Sequence, residues 1–292
     1  MGFRRARPDD HAAVAAFTQQ TFEWGDYVAG AFQDWLEDPN TAVFVATTEG
    51  DTAIGLVRSA MVSPVEAWLA SARVHPGHRR RGLASALNDL CMQWARERGA
   101  LVARLVIEDW NEQARRQVLR LGFRSVGSWT FGTLDLEGAG VSGWPRNGRF
   151  SADWELEGAD ETDAEPAFGT WGTSDLARAA HGLIPFDWTW RAMTLEDVLE
   201  AARSGELLGG PEGWTIAGVE GSEPRLNVRW LSAPEEGAVG LIGGLTRYGR
   251  GRFGRIDFRI PALRGLDAAL DELGYTISHL TVFEKETALT RA

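Results

Sequence analysis

The 292 residues suit two domains of ordinary size, with apolar side chains enough for two cores. A formal charge of −11, with arginines gathered into a basic patch in one loop only, argues against a nucleic-acid partner. No run of about 18 apolar residues exists to span a membrane. The start has no apolar stretch behind its arginines, so it does not read as a signal peptide. One cysteine, Cys91, excludes an internal disulfide framework and fits a reducing cytoplasm. Through Asp135 there are 15 arginines against 16 carboxylates, so the excess acid belongs to the remainder. Much of it lies between Asp153 and Glu165, read as a solvated linker or as a field drawing cationic substrates.

In chain order, Phe3–Ala6 reads as a short strand. Asp9 or Asp10 then caps a helix with Val14, Phe17, Thr21 and Phe22 on its apolar face. A second helical stretch covers Val28–Leu36. Strands follow at Ala42–Thr47 and Ile54–Val62, joined by a turn at Glu49–Asp51, and a third runs from Trp68 to His75. The loop Pro76–Arg81 leads into a helix, Leu83–Glu97, whose inward face is Leu83, Leu87, Leu90 and Trp94. Gly99 stops it. A strand at Leu101–Glu108, a helix at Glu112–Leu121 and a strand at Phe123–Leu134 complete a first half.

The second half repeats this order. Thr194 and Asp197 form a capping box. Trp214–Val219 and Leu226–Trp230 read as a hairpin around Gly221-Ser222, followed by a helix near Glu235–Tyr248 and a strand, Arg255–Ile260. A last helix presents Leu263, Leu266, Leu270 and Leu273, and the strand Thr276–Glu284 closes the chain. Phe22-Glu23-Trp24 is echoed by Phe186-Asp187-Trp188, and Leu119–Phe123 by Asp271–Tyr275, which indicates duplication. The fold class is α/β, two tandem domains each with a mostly antiparallel central sheet flanked by helices. The expected boundaries are 1–136, a Gly-rich and acidic linker 137–167, and 168–292. Within the linker, Phe150, Ala152, Trp154 and Leu156 alternate as in a strand.

The segment Val74–Leu87 carries the most chemistry. A strand ends, a turn carries Arg79, Arg80 and Arg81, and Gly82 opens a helix. Helix N-termini expose unpaired N–H groups and the positive end of the helix dipole, a ready phosphate seat when small residues allow close approach. Gly82, Ala84 and Ser85 are small, and the arginines suit a pyrophosphate or 3′-phosphate. Neither a dinucleotide fingerprint nor a P-loop is present. The plainer reading is a solvated charge run.

Arg79-Arg80-Arg81-Gly82-Leu83-Ala84 resembles the acetyl-CoA signature Arg/Gln-x-x-Gly-x-Gly/Ala of the GNAT superfamily of N-acetyltransferases. Asn111-Glu112-Gln113-Ala114 with Leu121-Gly122-Phe123 resembles the family's next conserved block. The resemblance covers Phe3–Leu134 closely and the second half by layout alone. It implies acetyl-CoA wedged where two central strands splay, with pantetheine along the backbone near Val74. The pyrophosphate would then sit on the amides of Arg80–Ser85, Leu83 and Ala84 included, with Asn111 steadying the pantetheine arm. Amides near Val74 would polarise the acetyl carbonyl.

Where many relatives carry a proton-donating tyrosine, this chain has Val118. Glu66, Glu108 and Asp109 are candidates for the general base, or surface carboxylates. Trp24, Asp26 and Tyr27 fall where relatives line the acceptor pocket, an aromatic-plus-acid lining suited to an amine, although Trp24 also suits a core. In the second half, Glu235 and Glu236 stand where the arginine loop should be, and carboxylates at a helix N-terminus repel phosphate; that half is expected to be degenerate. His75 and His78 lack further ligands, so no metal is expected. The implied activity is acetyl transfer to a primary amine of a small molecule. Its alternatives are a non-catalytic acyl-CoA sensor and a peptide or protein N-acetyltransferase. The oligomeric state is open.

Overall fold

A computed structural model describes residues 1–19, 25–136, 156–220 and 224–287. Its elements run β1 (Gly2–Arg5), α1 (His11–Thr18), α2 (Val28–Glu37), β2 (Thr41–Thr47), β3 (Ala53–Ser63), β4 (Glu66–Val74), α3 (Leu83–Glu97), β5 (Val102–Glu108), α4 (Glu112–Arg120) and β6 (Arg124–Asp135). They continue with β7 (Glu157–Gly158), α5 (Ala164–Thr173), α6 (Asp175–Ala179), β8 (Leu183–Phe186), β9 (Thr189–Ala192), α7 (Leu195–Arg203), β10 (Leu207–Gly210) and β11 (Gly213–Glu220). β12 (Arg225–Ser232), α8 (Glu235–Gly249), β13 (Arg255–Pro261), α9 (Arg264–Glu272) and β14 (Thr276–Glu286) complete the chain. This is the mixed α/β architecture the sequence implies, strands framed by helices.

Two compact units divide the chain. The first holds Met1–Val106, Arg116–Arg124 and Phe283–Ala292; the second holds Ile107–Arg115 and Ser125–Val282. This division departs from boundaries at 136 and 168. Strand pairing is the reason: β6 pairs antiparallel with β13 from Arg255↔Asp135 to Pro261↔Trp129, which takes it into the second unit. The chain's last described residues join the first, where Glu284 ion-pairs with Arg104 and Arg124, and Lys285 donates to the Leu121 carbonyl. Leu156–Ala167, expected as linker, instead forms β7, a 3-10 turn and the start of α5; the rest of that alternating stretch, Phe150–Trp154, lies outside the described residues.

In the first unit β1–β4 form an antiparallel meander, and β4 pairs parallel with β5. Val14, Phe32 and Trp35 from α1 and α2 pack on Val43, Val45 and Leu56. α3 buries Leu83, Leu87, Cys91 and Trp94 at helical spacing. The second unit repeats the plan: β10–β11–β12 antiparallel, then β12 parallel to β13. α8 and α9 bury Leu241, Ile242, Leu245, Leu266 and Leu270 against Val228, Ile256 and Phe258.

Local detail repeats as well. Phe123 N–H returns to the Val118 carbonyl and Tyr275 N–H to that of Leu270, each after a left-handed glycine, Gly122 (φ 84°) and Gly274 (φ 86°). The echoed Phe186-Asp187-Trp188 is a hairpin turn with Asp187 at φ 53°, whereas Phe22–Trp24 lies outside the described residues. The helices α5 and α6 and the β8–β9 hairpin escaped the sequence reading.

Candidate functional site

The first unit opens between β4 and β5. Their parallel pairing covers only Glu66–Trp68 against Val102–Arg104, although β4 continues to Val74. Past Trp68 the β5-facing edge of β4 is unpaired by that strand. There β4 is also bulged. Its partners on β3 jump from Leu56↔Arg73 to Arg58↔Ala70, so Ser71 and Ala72 oppose Val57, and Ser71 takes φ 60°. A bulge re-aims backbone groups out of the ladder.

The arginine loop follows. Pro76–His78 form a 3-10 turn in which His75 Nδ1 accepts from Gly77 N–H at 3.1 Å. Arg79 Nε donates to the Val74 carbonyl at 3.2 Å. Arg80 (φ 62°) and Gly82 (φ 77°) both take left-handed backbone and turn the chain into α3. That helix has no side-chain cap and no acid in its first turn; Ala86 N–H bonds the Gly82 carbonyl, leaving the amides before it outside the helical ladder. Among the described residues nothing lies within 4 Å of a Cβ built on Gly82. Arg79, Arg80 and Arg81 are exposed, with no ion pair among the described residues. A cationic, uncapped helix start with room beside it can hold an anion.

The acceptor-pocket candidates gather on the bulge. Asp26 Oδ2 is 2.7 Å from Arg73 Nε, and its Oδ1 accepts from Val28 N–H, opening α2. The Tyr27 hydroxyl is 3.1 Å from Ser71 Oγ. Asp26 is thus neutralised by Arg73 and is not a free acid awaiting an amine. Trp24 lies outside the described residues.

Glu66 is not placed as a base. It is buried at the start of β4, where the strands are still paired, and it ion-pairs with Arg104 and accepts from Ser63. Its place at a strand end suggests the cleft, but the sequence does not show that this end of β4 is the one still paired with β5. Val118 is buried in α4, confirming an apolar side chain at that position. Burial pushes the Cys91 thiol up, which makes it inert. Among the described residues no three His, Cys, Asp or Glu side chains cluster to hold a metal ion.

Three other candidates belong to the second unit. Burial raises the Glu108 carboxyl above the usual range, against a lowering hydrogen bond with Trp110. Asp109 Oδ1 accepts from Thr281 Oγ1 at 2.7 Å and lies 3.6 Å from Arg115. Asn111 Oδ1 accepts from Ala114 N–H at 3.1 Å, capping α4.

The helix that matches α3 in the second half is closed by its own residues. α8 starts with Glu235 and Glu236 after Pro234, and a Cβ on Gly237 would meet the Glu212 carbonyl at 2.7 Å. Sequence reasoning missed Ser71 and Arg73. The bulge leaves no compositional signal, and Arg73 reads as one more outward charge on an alternating strand.

The acetyltransferase (GNAT) family model matches residues 11–123. A GCN5-related N-acetyltransferase from Sphaerobacter thermophilus is 14% identical with a TM-score of 0.63, covering 99% of this chain and 96% of its own. A tandem GNAT protein from the clavulanic acid biosynthesis pathway is 16% identical, TM-score 0.56, covering 99% of each chain. A GCN5-related N-acetyltransferase from Kribbella flavida is 14% identical, TM-score 0.51, covering 98% of this chain and 72% of its own. No curated protein matches the sequence. The splayed α/β sheet and its uncapped helix are those of an acetyltransferase fold. Residues 11–123 match the GNAT acetyltransferase family model, and the chain as a whole shares the fold of the tandem GNAT protein.

Proposed function

We propose that the chain transfers an acetyl group from acetyl-CoA to a primary amine of a small molecule. The observation that carries this reading is the uncapped start of α3 after three arginines that, among the described residues, have no ion pair and leave open space at Gly82. Phosphate oxygens of the nucleotide would be held by the amides of Arg80, Arg81, Gly82, Leu83, Ala84 and Ser85, with the Arg79–Arg81 charges around them. The β4 edge from the Ser71 bulge to Val74 would pair with the pantetheine arm, and re-aimed bulge amides would stabilise negative charge on the acetyl oxygen.

In the reaction the amine nitrogen bonds to the acetyl carbon, the carbon–sulfur bond breaks, and one proton passes from nitrogen to sulfur. Holding the two reactants together can supply several kcal/mol of the barrier reduction. Asn111 Oδ1 is engaged as a helix cap by the Ala114 N–H. The buried Val118 favours a second reading, an acyl-CoA sensor without turnover.

Calorimetric titration with acetyl-CoA, and thiol release across an amine panel, test the proposal. Saturable binding, lost in Gly82→Trp and weakened at least tenfold in the Arg79→Glu/Arg80→Glu/Arg81→Glu variant, is expected. Binding that both variants retain would remove the seat. Binding without amine-dependent thiol release would favour the sensor.

A further inference from the structure

The bulge of β4 carries a hydroxyl pair just past the point where that strand parts from β5. Ser71 is a non-glycine residue in left-handed backbone (φ 60°), a conformation that costs energy and persists where the surroundings demand it. It is buried, and its Oγ lies 3.1 Å from the Tyr27 hydroxyl. Tyr27 stands at the start of α2, where Asp26 Oδ1 accepts from Val28 N–H and the Tyr27 carbonyl accepts from Ala31 N–H. The ring meets Trp35 edge-on at 6.0 Å, and the Arg73 guanidinium is 5.9 Å from its centre. Tyr27 is nonetheless 58% exposed, so packing fixes the phenol without enclosing it.

Both residues belong to the first unit, as does the start of α3. The other protic side chains beside this strand are engaged elsewhere. Glu66 is at the closed end with Arg104 and Ser63, and Asp26 is held by Arg73 and by Val28 N–H. His75 lies past Val74, on the side of the arginine loop, with its Nδ1 occupied by Gly77 N–H. The charged groups around Tyr27 are the paired Asp26 and Arg73, with Arg58 of β3 stacked over Trp35 at 5.1 Å. At the bulge itself, Tyr27 and Ser71 are the groups with a proton to give.

We propose that Tyr27 is the acid that protonates the leaving sulfur, with Ser71 as its positioning residue. This rests on the acetyl-transfer reading above, which lays the pantetheine arm along β4 from the bulge to Val74. Ser71 donates its hydroxyl hydrogen to the phenol oxygen, which frees the phenol hydrogen for the sulfur. As the carbon–sulfur bond breaks, its electron pair goes to sulfur and the Tyr27 proton follows. The proton shed by the amine nitrogen passes to water, and water restores the phenol. One proton has then moved from nitrogen to sulfur, and no tyrosine at position 118 is required.

The test uses the full-length chain with Tyr27→Phe and Ser71→Ala. Tyr27→Phe removes one oxygen and keeps the ring, so the contacts with Trp35 and Arg73 stay. Circular dichroism and melting establish folding, and acetyl-CoA titration establishes the cofactor seat. Thiol release with the best amine of the panel is then followed from pH 6 to 10.5. Tyr27→Phe is expected to keep acetyl-CoA affinity and the KM for amine within about threefold. Its kcat should fall about 10²-fold, the low end of the usual worth of general acid catalysis, because a thiolate leaves readily. It should also lose the high-pH fall in rate that a required protonated phenol imposes on the wild type. Ser71→Ala should keep that fall, displaced in pH, with a smaller loss in kcat. A folded Tyr27→Phe enzyme that raises the KM for amine at unchanged kcat overturns the proposal and makes Tyr27 a wall of the acceptor pocket. Wild-type kcat and pH profile in Tyr27→Phe overturn the role of Tyr27 alone. A wild-type chain that binds acetyl-CoA but acetylates no amine overturns the transfer reading, and the role of Tyr27 with it.

Discussion

Glu235 lays its carboxylate against Gly265, so that the acid opening α8 also reaches the first turn of α9. Two helix N-termini thereby receive a negative charge from the chain itself, a favourable arrangement that takes the place of an external anion. The same position in the first unit has arginines and open space. One acetyl-CoA per chain is the expected stoichiometry. Replacing Glu235 and Glu236 together by alanine should leave that number at one in calorimetric titration, because the Glu212 carbonyl still covers Gly237. A second binding event in the wild type, or a lost one in the variant, would contradict the assignment of the seat to α3.

Two glycines separate close packing from simple flexibility. Gly237→Ala should destabilise the second unit by about 1–3 kcal/mol, because its new methyl meets the Glu212 backbone, which cannot swing aside. Gly169→Ala, exposed inside α5 with nothing within 4 Å, should instead stabilise by about 0.5–1 kcal/mol through helix propensity. Urea unfolding of the two variants measures both signs.

The Asp26–Arg73 pair unites the start of α2 with the bulged end of β4. Asp26→Ala removes the buried ion pair and the helix-opening acceptor together, for a loss on the order of 2–4 kcal/mol. Asp26→Asn keeps the acceptor for Val28 and should lose less. Equal losses in the two variants, read by denaturant midpoints, would show that the charge contributes nothing.

How much of this was legible follows from the physics of each feature. The core-forming period of Leu83–Glu97 is local, and the helix has those limits. The Thr194 capping box is equally local, with Asp197 N–H on Thr194 Oγ1 and Thr194 N–H on the Asp197 carboxylate. The arginine loop was readable because backbone exposure at a helix start follows from sequence order. Asp9 or Asp10, by contrast, is the expected side-chain cap of α1, and Asp10, which stands at that position, makes no such bond. It accepts from Arg7 N–H and ion-pairs with Arg4 instead, so the cap serves the preceding 3-10 turn. The partners of Glu66, Asp26 and Asp267 are 38, 47 and 137 residues away, and only the folded sheet brings them together. The exchange of β6 and the end of β14 between units is a pairing choice, and a repeated element order is silent about it.

Asp10 sets an acid limb on stability. Burial works against its charge, yet the Arg4 guanidinium and the Arg7 N–H outweigh it and hold the carboxyl below the usual range. A carboxyl lowered in the folded state adds stability above its unfolded value of about 3.9, and that stability is lost as pH falls through the folded value. Asp10→Asn should be less stable than wild type at pH 6, with the gap closing below pH ~4. Unfolding free energies from pH 2 to 6 check this, and a gap constant with pH would assign the loss to packing.

Arg104 ties β4, in the middle of the first unit's sequence, to that unit's last segment. Its guanidinium lies buried between Glu66 on β4 and Glu284 near the chain's end, the latter 2.9 Å from Nε, and Glu284 also engages Arg124. A buried guanidinium that keeps one carboxylate of two is left with donors short of acceptors, and breaking such a pair costs about 3–5 kcal/mol. Glu284→Ala should therefore destabilise the first unit by about 3 kcal/mol. Glu284→Gln, which keeps an acceptor of the same shape, should fall between that variant and wild type. Because β14 is shared between the units, hydrogen exchange resolves where the loss falls: amides of β4 and β5 up to Val106 should exchange faster, with those of α8 and α9 unchanged. Uniform acceleration across both units would mean that the strand end supports the whole chain, and no change at all would mean that Glu66 suffices for Arg104.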